Sequence, residues 1–213
     1  PRRDRFILSK GHAAVALYAV LADKGFFERE HLDTYGRRNT ILGGHPDMYK
    51  VPGVEASTGA LGHGFVFGTG IALAGKMDKK NYRVFCLLGD GECQEGSIWE
   101  AAMFAAQQRL DNLIAIIDYN KLQAMDRLDK IVALDPLVDK WQAFGWEVRE
   151  VDGHNFGSLT AALKDIPFKG GRPNLVIAHT IKGKGVSYME NVPIWHYRLP
   201  NAEEKKIACD ELG

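Results

Sequence analysis

The chain has 213 residues, with 27 basic and 27 acidic side chains and a formal net charge of zero, so no surplus field draws it to nucleic acid or an anionic membrane. At 46% hydrophobic and 25% charged it has the make-up of a folded globular domain, long enough for one large α/β unit over residues 1–213. No apolar run is long enough to span a bilayer as a helix, and the start carries no secretory-leader pattern.

Pro1 to Ile7 opens without a methionine and reads as the front of a piece cut from something longer. Ser9-Lys10-Gly11-His12 leads into a predicted helix over 13–23, which ends at Lys24-Gly25, a cation followed by a glycine. Residues 28–35 predict a short polar helix. The stretch 42–47, with two glycines and a proline, is a loop. Ser57 to Gly64 is a small-residue turn feeding a helix that runs through Lys76. Its glycines at 59, 62, 64, 68 and 70 each cost a helix about 1 kcal/mol against alanine. Close packing on another helix accounts for the later ones. Gly59 and Gly62 precede the settled helix and suit backbone pressed against a ligand.

The centre of the chain is 83–125. Val84 to Leu88 is a short apolar run of strand formers that stops at Gly89-Asp90-Gly91. Leu113 to Ile117 is a second such run and stops at Asp118-Tyr119-Asn120. Between them, 97–110 predicts a helix whose buried face carries Ile98, Ala101, Ala102, Ala105 and Leu110. Strand, crossover helix and strand make a right-handed parallel unit. The carboxyl ends of its strands lie side by side, where open α/β sheets bind ligands. There Asp90 offers a carboxylate between two glycines and Asn120 an amide oxygen. Hard oxygen ligands of this kind suit magnesium rather than zinc; the alternative is a plain turn and a loop cap.

Further on, 136–144 predicts a helix, 146–151 a strand, 158–163 a helix and 174–178 another apolar strand. That strand runs into a glycine-rich basic loop containing Lys182. An irregular stretch over 189–200 holds Trp195-His196, and 202–212 is a terminal helix. The odd count of three cysteines, Cys86, Cys93 and Cys209, argues against a disulfide framework and a zinc site. Cys86, mid-strand, is packing, and the expected compartment is reducing and cytoplasmic.

Gly89-Asp90-Gly91 with Asn120 about thirty residues on resembles the thiamine diphosphate motif. Four more blocks, 4–12 (DRFILSKGH), Gly44-His45-Pro46, Thr58 to Gly62 and Trp195-His196, resemble the transketolase family in that family's order. The length resembles the amino-terminal subunit of a split transketolase. The resemblance implies a three-layer thiamine diphosphate fold, a mostly parallel sheet flanked by helices, without the family's upstream helices. It implies magnesium held by Asp90, Asn120 and the carbonyl of Leu122, with calcium or manganese able to substitute. Gly59 and Leu61 would meet the aminopyrimidine, while Gly89, Gly91, His12 and Lys182 would serve the diphosphate. His12, His45 and His196 would surround a ketose, move protons and act as the catalytic set, His196 also touching the cofactor.

It implies, further, transfer of a two-carbon ketol unit from a ketose phosphate to an aldose phosphate. The partner would be a carboxy-terminal subunit with the pyrimidine-binding domain, in an α2β2 assembly. His63, where glutamine is usual, and Gln123-Ala124, where Gly-Gln is usual, depart from the family pattern. Glu95 is either partner-facing or a solvated charge at a helix start. Competing expectations are a deoxyxylulose phosphate synthase-like or 2-oxo acid decarboxylating subunit, or a non-catalytic relative keeping the fold.

Overall fold

Parallel strands covered on both faces read as near-continuous apolar runs, and that is how the central strands are built. The computed structural model describes residues 3–213; Pro1 and Arg2, the first two residues of the supposed cut edge, lie outside them. The strands are β1 (Arg5–Leu8), β2 (Val84–Gly89), β3 (Leu113–Tyr119), β4 (Glu147–Asp152) and β5 (Asn174–His179). They form one sheet in the order β1-β2-β3-β5-β4. Every pairing is parallel, so the sheet expected to be mostly parallel is wholly so among the described residues.

Helices cover both faces. These are α1 (Ala14–Asp23), α2 (His63–Met77), α3 (Gly96–Gln107), α4 (Leu128–Ile131), α5 (Leu137–Ala143), α6 (Phe156–Lys164) and α7 (Ala202–Leu212). Strand residues alternate between the faces. Ile7, Cys86, Leu88 and Ile117 point into the main core, where Phe65 of α2, the alanines of α3 and Trp141 of α5 meet them. Phe6, Leu8 and Leu87 turn the other way, towards Leu17 and Leu21 of α1. Val148 joins the main core, whereas Arg149 pairs with Asp165 just past α6. Among the described residues no helix is long and apolar enough to cross a membrane.

Two glycines of α2, Gly64 and Gly68, pack on the sheet and the residue that follows β1, not on a helix partner as the sequence suggests. A Cβ on Gly68 would overlap the Cys86 Sγ, and one on Gly64 would stand 2.5 Å from the Ser9 Cα. Gly70 has nothing within 4 Å. Gly68 and Gly70 should therefore respond oppositely to alanine. Gly68→Ala forces overpacking of about 1–3 kcal/mol, more than the ~1 kcal/mol a helix gains from alanine, so its melting temperature should fall. Gly70→Ala meets no neighbour and should raise it. Thermal melts of the two variants side by side check both.

Some boundaries move. β1 is a strand that the sequence reading leaves as an unassigned lead-in. β3 runs on through Asp118 and Tyr119 because β5 pairs with it as far as Tyr119↔His179. α3 stops at Gln107, since Lys76 Nζ donates to the Gln108 and Arg109 carbonyls at 2.9 and 2.7 Å and Arg109 takes φ 52°. Leu110 is buried all the same, beyond the helix. The polar helix over 28–35 is a 3-10 turn, Arg29–Thr34.

Candidate active site

Four strands deliver their carboxyl-terminal loops to one place. Ser9 and Lys10 follow β1, Asp90 follows β2, Asn120 follows β3, and Thr180 and Lys182 follow β5. They open onto a cavity of about 500 Å³. His12, Gly59, Leu61, Gly89, Asp90, Gly91, Asn120, Leu122, Lys182 and His196, ten positions singled out from sequence, line it.

Asp90 is 3% exposed and ties the two central loops together. Its Oδ1 accepts from the Gly91 N–H at 2.7 Å and its Oδ2 from the Lys121 N–H at 2.6 Å. Asp90 thus grips the backbone beside Asn120. Burial pushes the Asp90 carboxyl up, against these two bonds, and the neighbouring Asp118 pushes the same way. A cation there would relieve both. Asn120 Oδ1 accepts from the Leu122 N–H at 3.0 Å, a two-residue side-chain turn that sets the course of the backbone at Leu122. The loop-cap role and a ligand role are compatible, because an amide oxygen has two lone pairs.

Positive groups face these acids. Lys10 forms an ion pair with Asp118, which also accepts from Thr180. Burial raises the Asp118 carboxyl, but Lys10 and Thr180 more than offset it and hold it below its ordinary value. Burial, then repulsion from Lys10, lowers the Lys182 ammonium. Lys182 Nζ donates to His196 Nδ1 at 3.1 Å. The His196 segment is itself braced: Trp195 Nε1 donates to the Tyr188 carbonyl at 2.9 Å, and Arg198 pairs with Glu204 at 2.7 Å.

The His12 and His196 rings lie 5.1 Å apart. His12 opens to the cavity mouth, yet the protein around it, followed by His196, Lys10 and Lys182, pulls its imidazole down to about 4. Burial, then Lys182 and Lys10, lowers His196 as well. Both rings are therefore neutral near pH 7, each with one N–H to give and one lone pair to accept. Between pH 6.5 and about 4 the unfolded chain takes up a proton that the folded His12 refuses, so acidification through that window weakens the fold. Imidazole NMR should show the His12 ring still neutral at pH 5.5; a midpoint near 6.5 would contradict this packing.

His45 does not line the cavity. It stands behind Gly59, where a Cβ would lie 3.2 Å from the His45 Cγ. The Tyr18 hydroxyl holds its loop, shared between the carbonyls of His45 and Gly43 at 2.9 and 3.0 Å. Glu95 is exposed at the N-terminus of α3 and lines the cavity's edge.

Several site residues escape a reading of the sequence: Lys10, Asp118, Thr180 and Glu92. Glu92 is 2% exposed and accepts from Ser9, Gly62 and Gly89. A signal for Lys10 is present, as a lysine close to His12 within the same block.

A diphosphate with its cation suits this lining. Glycine at 91 leaves backbone bare: a Cβ there would stand 2.8 Å from the Gln123 Nε2. That same Nε2 is buried without a hydrogen-bond partner, a free donor beside Gly91. No cluster of three His, Cys, Asp or Glu suited to a metal occurs among the described residues. A set of one carboxylate, one amide and one carbonyl needs none, since phosphate oxygens complete a magnesium shell.

Comparison with known proteins bears on the same surface. The family model described as transketolase, thiamine diphosphate binding domain, matches residues 1–208. A relative from Phocaeicola vulgatus, named as one of the subunits of an apulose-4-phosphate transketolase, is 48% identical across 100% of this chain and 75% of its own length. One from Clostridium sp., named for a 6-deoxy-6-sulfo-D-fructose transketolase, is 47% identical across 100% of this chain and 77% of its own. The crystal structure of transketolase from Campylobacter jejuni superposes with a TM-score of 0.91 at 30% identity, over 99% of this chain. This chain spans 34% of that one, so it matches about a third of a full transketolase and three quarters of the two shorter relatives. The chain belongs to the transketolase family, and residues 1–208 are that family's thiamine diphosphate binding domain.

Proposed function

We propose that the chain is the diphosphate-binding half of a transketolase, which moves a two-carbon ketol unit from a ketose to an aldose with thiamine diphosphate and magnesium. The convergence of Asp90, Asn120, Lys182, His12 and His196 on one cavity, through loops from adjoining parallel strands, carries this reading. Asp90, Asn120 and the Leu122 carbonyl would hold the ion, for which calcium or manganese would substitute. Gly89, Gly91, Lys182 and His12 would hold the diphosphate, His12 as a neutral N–H donor and Lys182 as the charge. Gly59 and Leu61 would meet the pyrimidine through their backbone. When bound, thiamine diphosphate supplies the nucleophilic carbon and electron sink that let a ketose be cleaved beside its carbonyl.

The histidines would serve the sugar. His12, His196 and His45 would orient the ketose hydroxyls and carbonyl and relay protons, and the neutral rings of His12 and His196 suit that task near pH 7. The relatives are named for apulose-4-phosphate and 6-deoxy-6-sulfo-D-fructose. Both sugars end in an anionic group, so we take the donor class to be a ketose with an anionic terminus. That terminus and the pyrimidine-activating carboxylate would be met by a partner subunit, within an α2β2 assembly in the cytoplasm.

The test combines the protein, the candidate partner, thiamine diphosphate and magnesium, and follows ketol transfer from such ketoses. Activity should need all four. Full activity without a partner, or none with any, would count against the reading. Pyruvate decarboxylation in its place would favour an oxo acid enzyme, and no magnesium-dependent cofactor binding a non-catalytic relative.

A further inference from the structure

Glu92 is a buried carboxylate to which none of the roles above is assigned. Three donors from three separate segments converge on it. Ser9 Oγ reaches Oε1 at 2.5 Å and the Gly62 N–H reaches the same oxygen at 2.9 Å, while the Gly89 N–H reaches Oε2 at 3.1 Å. Ser9 follows β1, Gly62 precedes α2, and Gly89 ends β2. Ser9 Oγ in turn accepts from the Phe65 N–H at 2.9 Å.

The start of α2 explains part of this. Gly62 caps the helix at φ 83° and has no side chain to satisfy the first N–H groups. Ser9 and Glu92 satisfy them from outside the helix. A serine alone would have served a cap, since a neutral hydroxyl costs less to bury than a carboxylate. The nearby cation, Lys10, is already paired with Asp118. What only a two-oxygen acceptor can do here is bind the Gly62 N–H and the Gly89 N–H at once, one on each oxygen. Those two N–H groups belong to two stretches remote in the chain that both supply lining to the cavity, Gly59 and Leu61 from one and Gly89 and Gly91 from the other.

We propose that Glu92 is a positioning residue that fixes the distance between these loops, and so presets the site for a ligand long enough to touch both. This rests on the cofactor reading above, in which one loop meets the pyrimidine and the other the diphosphate. The ordering of the loops is then completed during folding and not charged against binding.

The test uses the full-length subunit with its partner, and calorimetry with two ligands in magnesium: thiamine diphosphate, which spans both loops, and inorganic pyrophosphate, which reaches one. Glu92→Gln keeps the shape but replaces one acceptor oxygen with a donor, setting N–H against N–H. Its affinity for thiamine diphosphate should fall about tenfold or more, while that for pyrophosphate should change by less than about threefold. An unchanged ratio, whether both affinities hold or both fall together, overturns the proposal. If Glu92→Gln does not fold, Ser9→Ala withdraws one strut of the same bridge, and the ratio should shift the same way; no shift overturns the proposal equally. Should the unaltered protein bind neither ligand, the cofactor reading itself fails. If it binds both and the ratio holds in the variants, only the role of Glu92 fails.

Discussion

Asp90→Ala should lose magnesium-dependent retention of thiamine diphosphate, with an affinity loss beyond the 10–100-fold typical of removing an outer partner of a metal ligand. Two losses add. The proposed ion loses its only carboxylate, and the Gly91 and Lys121 N–H groups lose the acceptor that holds them at 2.7 and 2.6 Å. The second loss frees the Asn120 loop, so the remaining oxygen ligands lose their fixed spacing. Asp90→Asn separates the two effects. It keeps one acceptor for the backbone but removes the charge, so it should keep the fold better and still fail to retain the cofactor. Removing magnesium with a chelator should reproduce the Asp90→Asn result in the unaltered protein. Cofactor affinity unchanged in Asp90→Ala, measured by calorimetry on the assembled complex, would end the metal assignment.

What the sequence shows of this site depends on how far apart in the chain the partners are. Asp90 and Asn120 are legible because turn chemistry is local: glycines flank one, and each ends an apolar run. The central βαβ unit is legible for the same reason, and Val84↔Leu113 to Gly89↔Asp118 pair in the expected parallel sense. Glu92 is not legible, because its partners Ser9 and Gly62 lie 83 and 30 residues away. Nothing around Glu92 distinguishes it from a solvated acid in a turn. Lys10 and Asp118 are 108 residues apart, and the pair exists only once β1 and β3 lie on either side of β2. β1 itself has four residues, too few for a period to show. The glycines of α2 suggest helix packing because a glycine stripe names a close neighbour without saying whether it is a helix or a sheet.

His45→Ala poses a sharper question, because His45 stands against Gly59 and does not line the cavity. Turnover should fall by on the order of 10²–10⁴, the usual cost of losing a positioned acid–base group, while thiamine diphosphate affinity stays within about threefold. The loop is anchored independently of the imidazole, since Tyr18 binds its backbone at two carbonyls and the Thr58 N–H binds the Pro46 carbonyl at 3.3 Å. The ring is exposed, so truncating it should cost the fold little. Equal losses in kcat and kcat/KM would place the lost interaction in the transition state. The competing outcome is specific. The imidazole also backs Gly59, where a Cβ would come within 3.2 Å of it. If its chief task were to press Gly59 against the pyrimidine, cofactor affinity would fall along with turnover, and His45→Phe, which refills the space without a nitrogen, would restore binding. Retained binding with lost turnover in both variants assigns His45 to the sugar, and recovery of turnover by phenylalanine would remove it from the chemistry.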